Sequence, residues 1–372
     1  MDLPSIWFGV LAFFFIGYFV LDGFDFGVGM ALPFLGRDDV DRRVMINTIG
    51  PVWDLNETWV IVAGAAMFAA FPEWYATLFS GFYLIFLAIL LALIVRGVSF
   101  EYRHQRAELV WKRRFDRMIV IGSAVPAFLW GLVFANVVRG VPLDAGFNFT
   151  GSLLDLFNPY AMLGGVTTLL LFFTHGVVFV ALKTDGPIRQ RARRLASRAG
   201  LLTIVVAAVF LVLTTVLFGT VMSGILSAVA AVALIGSYLA NHRGAERWAF
   251  ALMAATIAFA VLSLFVSLLP DVMPASNNPA HSLTVENASS STYTLTIMSW
   301  VALVFVPLIL LYQGFTYWVF RKRLSRATIT GVPGGRTGGG PGGGHGPLPE
   351  GGHGAVAGAA GDAAGADAGA DR

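Results

Sequence analysis

Four carboxylates and one histidine stand inside stretches that are otherwise apolar, and they are the side chains best suited to chemistry. Asp22 and Asp25 lie three residues apart, and Asp54 and Glu57 repeat that spacing in Pro51-Val52-Trp53-Asp54-Leu55-Asn56-Glu57-Thr58-Trp59. On a helix such a pair shares one face, so each pair offers a neighbour two acids able to bind or pass a proton. Gly23, Gly27 and Gly29 would thin the Asp22/Asp25 face enough for close helix packing. That pair is then either a polar or proton-binding contact at a helix crossing, or a hydrogen-bonded structural pair near the end of its segment. Asp54 and Glu57 also have two readings. Pro51 suits a first helical turn, where carboxylates are favoured by the helix dipole. Alternatively, Trp53 and Trp59 place the two acids in an apolar wall, an environment suited to proton relay. His175 is the one histidine within an apolar segment, so a bis-histidine haem site cannot be built there, and none of the ten Met residues stands out as a second ligand. A hydrogen-bonded packing role is expected for it.

The elements that must position these residues follow from composition. Of 372 residues, 56% are hydrophobic and 13% charged, about half of the roughly 25% charge of a soluble domain. Apolar runs of about 20 residues, the length of a membrane-crossing helix, recur along the chain. An all-α, polytopic membrane protein is expected, with about nine transmembrane helices at 5–34, 51–71, 74–95, 116–138, 158–182, 199–219, 222–240, 248–270 and 293–320. The alternate loops at 35–50, 96–117, 183–198 and 241–247, with the segment after the last span, carry 22 Lys and Arg; the intervening loops carry one, Arg139. By the positive-inside rule the N-terminus is outside and the C-terminus cytoplasmic. Met1-Asp2-Leu3-Pro4 has no basic n-region, so the first span reads as an anchor.

Residues 1–325 form the expected transmembrane helical domain. From 326 to 372, and above all from Gly331, the chain is rich in Gly, Ala and Pro and is expected to be a disordered cytoplasmic tail whose His345 and His353 are solvated. The sequence has no cysteine, which excludes disulfides, thiolate nucleophiles and Cys-ligated clusters or zinc. No phosphate loop, dinucleotide fingerprint, nucleophile elbow or HExxH occurs. The basic run Arg189–Arg194 reads as a topology determinant, not a lipid or nucleic-acid site, and no nucleic-acid partner is expected.

The ordered motifs Asp22-Gly23-Phe24-Asp25-Phe26-Gly27-Val28-Gly29-Met30, Phe34-Leu35-Gly36-Arg37, Asn47-Thr48-Ile49-Gly50-Pro51-Val52-Trp53-Asp54 and Phe79-Ser80-Gly81-Phe82-Tyr83 resemble subunit II of the cytochrome bd-type quinol oxidases. The likeness is dense over about 20–105 and looser to about 320, where Trp300-Val301-Ala302 and Pro307-Leu308-Ile309 continue it. The resemblance implies a bacterial cell-membrane complex that oxidises quinol, reduces dioxygen to water and takes protons from the cytoplasm. It implies a partner, subunit I, carrying two b-type haems and one d-type haem, while this subunit ligates none and in some members binds a structural quinone. By resemblance Asp54 is the cytoplasmic mouth of a proton pathway leading to the haems in subunit I, and Trp59 is a wall residue of an oxygen path; Glu57 and Asp25, from their own positions, are expected on the same proton pathway. Leu55 stands where the family often has Gly, and His175 replaces an uncharged residue. Two other readings are a proton- or cation-coupled transporter using Asp22, Asp25, Asp54 and Glu57, and a structural scaffold in which Asp54 only caps a helix.

Overall fold

A computed structural model describes residues 2–330. The chain forms α1 (Leu3–Leu35), α2 (Asp39–Ile49), α3 (Trp53–Ala70), α4 (Pro72–Gly81), α5 (Tyr83–Tyr102), α6 (Leu109–Arg139), α7 (Pro159–Lys183), α8 (Pro187–Phe218), α9 (Val221–His242), α10 (Glu246–Leu268), α11 (Thr292–Val319) and α12 (Arg326–Thr330). A two-stranded antiparallel ribbon, Asp271–Met273 with Leu283–Thr284, lies in the connection before α11. Local chemistry sets many starts. Asp38 accepts from the Asp41 amide to begin α2, Asn158 accepts from Ala161 ahead of Pro159 in α7, and Ser291 accepts from Thr294 in α11.

Eight of these helices are long and apolar enough to cross a membrane: α1 and α5 to α11. The expected span at 51–71 is α3, which falls short in apolar character because Asp54, Asn56 and Glu57 occupy its first turns. Its course is nonetheless that of a crossing helix. The Trp53 ring lies 5.2 Å from Phe100 near the end of α5, and the Ala70 carbonyl accepts from Ser290 beside the start of α11. Pro72 ends α3, because a residue preceding proline is driven from helical geometry. The expected span at 74–95 is divided into α4 and α5 at Phe82, and α5 continues to Tyr102.

Both ends of the bundle are tied together. At one end Asp41 joins Arg191 (2.6 Å) and Arg326 (2.5 Å), while Asp116 joins Arg42 and Arg103. Asp39 joins Arg103 and Lys112, and Glu246 meets Arg189, with Arg193 and Arg323 farther off. All five basic segments of the sequence therefore meet there. At the other end Thr77 donates to the Phe147 carbonyl, and Val141 and Leu143 pair with Pro274 and Asn277. The core centres on α1, whose Phe15 and Phe19 pack edge-on against Trp130 and Phe134 of α6. Where α1 crosses α7, Gly27 meets Gly176 so closely that an added methyl on Gly27 would fall 2.0 Å from the Phe172 carbonyl. By contrast α11 buries only Leu295 and Gln313. The tail expected from 326 begins as α12, with Arg326 paired to Asp38 and Asp41; residues 331–372, with His345 and His353, lie outside the described residues.

Candidate functional site

Asp22 and Asp25 are both fully buried, and each anchors a separate chain of polar contacts. Asp22 Oδ1 accepts from Arg96 Nη2 at 2.6 Å, and Arg96, from α5, is itself fully buried. The same Nη2 reaches Glu57 Oε2 at 3.2 Å, and the guanidinium lies over the Phe26 ring, 4.3 Å from its centroid. Among the described residues Asp25 has no cation paired with it. Its Oδ2 accepts from Asn56 Nδ2 at 2.7 Å, and Asn56 Oδ1 in turn accepts from Gln313 Nε2 (2.9 Å) and the Tyr317 hydroxyl (2.8 Å) of α11. Trp59 Nε1 donates to Gln313 Oε1 at 3.3 Å and closes this second chain.

The structure thus brings Asp22, Asp25 and Glu57 to one cluster and leaves Asp54 outside it. Asp54 is exposed, one helical turn before Glu57, and forms no ion pair among the described residues. Glu57, with 21% of its side chain exposed, stands between surface and interior. Asp22 Oδ2, Asp25 Oδ1 and Arg96 Nε and Nη1 are buried without a hydrogen-bond partner within the described residues. Two carboxylates on one guanidinium, with a free oxygen on Asp22, can hold a proton on one carboxyl without stranding the cation.

Trp59 is buried against Phe13 and Phe14, and its ring fills the space left by Gly17, where a methyl would fall 2.2 Å from it. Its other side borders an apolar groove of about 440 Å³ shared with Leu55, Val306, Ile309 and Tyr312. His175 sits in α7, fully buried, with Nε2 hydrogen-bonded to the Val20 carbonyl at 3.1 Å and its ring stacked on Phe250 at 4.7 Å. An iron on Nε2 would have to displace that carbonyl, while Nδ1 is buried without a hydrogen-bond partner within the described residues. Among the described residues no group of three or more His, Cys, Asp or Glu could hold a metal ion.

Two parts of the cluster were not foreseen from sequence. Arg96 reads as the first charge of a basic loop, but it lies inside α5, where two carboxylates compensate it and let the helix continue. The signal available was the surplus of intramembrane acids, which calls for a cation. Asn56, Gln313 and Tyr317 are neutral, so a search for ionisable groups passes over them; a Gln in the apolar run of α11 is their one trace in the sequence.

Residues 3–320 match the family model described as cytochrome bd terminal oxidase subunit II. The chain belongs to that family. It is 43% identical over 330 residues to cytochrome bd ubiquinol oxidase subunit 2 of Bacillus subtilis (strain 168), covering 87% of this chain and 97% of the relative. It is 36% identical over 367 residues to cytochrome bd-I ubiquinol oxidase subunit 2 of Escherichia coli (strain K12), covering 88% and 96%. Among solved structures, a chain of the bd oxidase from Geobacillus thermodenitrificans superposes with a TM-score of 0.68 at 18% identity, covering 87% of this chain and all of that one, a likeness of fold. This family member is accordingly a multi-pass protein of the bacterial plasma membrane, and its relatives are subunits of an oxidoreductase complex.

Proposed function

We propose that the chain is the second, non-haem-ligating subunit of a cytochrome bd-type quinol oxidase, assembled with a haem-bearing subunit I that oxidises quinol and reduces dioxygen. In this reading Asp54 is the cytoplasmic entrance of a proton path continued by Glu57 and Asp25, and Trp59 walls a route for dioxygen. The two b-type haems and the d-type haem belong to the partner and supply the electron transfer and oxygen chemistry. A structural quinone has no assigned residues here. The N-terminus is outside and the C-terminus cytoplasmic, which agrees with the meeting of all five basic segments at one end of the bundle.

The observation that carries the proposal is the graded exposure of the acids: Asp54 open, Glu57 partly covered, Asp25 sealed. Asp54 and Glu57 lie three residues apart on α3, the spacing that puts two side chains on one helix face. When Glu57 takes a proton its contact with Arg96 weakens, yet Asp22 at 2.6 Å still neutralises the guanidinium. A proton can therefore enter without leaving a bare buried charge. Asp25, held by neutral Asn56, is the inner acceptor.

The test is Asp54→Asn in the assembled membrane complex. Quinol-oxidase turnover should fall roughly tenfold or more, in keeping with loss of a proton-transferring group, while the reduced-haem spectrum and subunit content stay as in the wild type. Undiminished turnover and proton uptake would leave only the scaffold role, and a chain that purifies alone and colourless would point to a transporter.

A further inference from the structure

The basic run at the start of α8 is not uniform. Arg189 and Arg193 face Glu246, and Arg191 is paired with Asp41, but Arg194 and Arg198 are exposed and form no ion pair among the described residues. They stand one helical turn apart on the rim of an open pocket of about 570 Å³ between α8 and the end of α9, completed by Arg193, Ser197, Asn241 and His242. Among the described residues no carboxylate lines it.

The floor of this pocket has a second feature. Asn241 is 3% exposed and donates Nδ2 to the Arg193 carbonyl (3.0 Å) and to Ser197 Oγ (2.9 Å), which leaves its buried Oδ1 with no donor. Two unpaired guanidinium groups suit a phosphodiester, and a buried free acceptor suits a hydroxyl. The surroundings define the rest of the ligand. Immediately beyond Arg198, α8 exposes Leu201, Leu202 and Val205, and the facing turns of α9 expose Leu239 and Ile235. A polar pocket opening onto an apolar slope matches an amphipathic molecule with an anionic head. The topology rule accounts for the number of cations at this end, but it does not account for two of them framing a buried, undonated acceptor.

We propose that this pocket binds an anionic phospholipid whose headgroup carries a hydroxyl, the chemistry of phosphatidylglycerol, with its phosphate between Arg194 and Arg198 and its acyl chains along α8 and α9. Basic recesses between membrane helices are known to take lipid headgroups, and this one is separate from the carboxylate cluster and independent of the function proposed above.

The experiment is a titration of the intact, delipidated membrane assembly containing this chain with phosphatidylglycerol, read by native mass spectrometry. The wild type should hold one lipid that Arg194→Gln/Arg198→Gln binds at least tenfold more weakly. Arg243→Gln/Arg247→Gln, the same change of charge on exposed residues outside the pocket, should bind as the wild type does. Arg194→Lys/Arg198→Lys should retain the lipid, which a loss of fold would not permit; if the double Gln variant does not assemble, Arg198→Gln alone makes the comparison. Equal losses in both Gln pairs would overturn the assignment, as would equal binding of phosphatidylcholine with the same acyl chains. Displacement of the lipid by millimolar inorganic phosphate would make the pocket a site for free phosphate and likewise refute it.

Discussion

Replacing Arg96 with methionine isolates the contribution of the buried ion pair. The guanidinium and the Asp22 carboxylate are both wholly out of solvent and 2.6 Å apart. Removing the cation alone leaves a buried carboxylate without its counter-ion, and breaking such a pair typically costs about 3–5 kcal/mol. Glu57, whose side chain is 21% exposed, can turn to water and should add little. Removing both charges in Asp22→Leu/Arg96→Met should restore most of the loss, because apolar replacements of a buried pair are often neutral. The two single changes and the double form a cycle whose coupling should be about 3 kcal/mol or more, at or above the top of the range for contacting residues, because the double change recovers most of what breaking the pair costs. Reversible unfolding in mixed micelles, titrated with sodium dodecyl sulfate, measures all four. Salt of about 0.5 M should leave the coupling unchanged, since a buried pair is screened far less than an exposed one. A coupling below about 0.5 kcal/mol would refute the view that Asp22 and Arg96 hold one another in the bundle.

Two further outcomes follow from the packing and from the charged end. Gly27→Ala would put a methyl 2.0 Å from the Phe172 carbonyl and 2.6 Å from the Gly176 nitrogen, so α1 and α7 must part; the same micelle titration should show a loss of about 1–3 kcal/mol, whereas Gly9→Ala, with nothing within 4 Å, should show little. In α2, Asp38 lies below the usual carboxylate range because the Asp41 amide and Arg326 donate to it. Partial burial pushes Asp39 upward, but hydrogen bonds from Lys112 and Arg103 outweigh it and leave this carboxyl lowered too. Folded values below the unfolded one mean that this stabilisation is complete above about pH 4 and is lost as the pH falls through the folded values. Hydrogen exchange in α2 should therefore be protected equally at pH 5 and 7 after correction for intrinsic rates, and should accelerate below about pH 4. A loss of protection on raising the pH instead would reverse the sign.

What could be read in advance depended on whether the signal was local. Apolar length gives α1, α7 and α9 to α11 nearly whole but only the apolar parts of α6 and α8, whose basic first turns at 109–115 and 187–198 fall in expected loops, and the alternation of basic segments anticipated that Arg42, Arg191 and Arg326 would share one end. Pro72 announces its own break. The Asp22/Asp25 spacing put both acids on α1, but their partners come from α5, α3 and α11, and nothing in a linear pattern pairs Asp25 with Asn56 or Asn56 with Gln313. Arg96 was misplaced for the same reason: a charge ends an apolar run in hydropathy, whereas in three dimensions its neutralising partner lies 74 positions earlier. Asp54 and Glu57 share one turn of sequence, yet the fold sends them to different surroundings because only Glu57 points toward Arg96.

That separation along the chain has a consequence for biogenesis. Asp22 leaves the ribosome 74 residues before Arg96, and Asp41 emerges 285 residues before Arg326. Until α5 is made, Asp22 on the first helix lacks its ion-pair partner, so the acid must be neutralised by a proton or kept hydrated. Translation order therefore makes α5 the helix that brings Asp22 its buried cation, and the short helix after α11 the last to supply Asp41 with one.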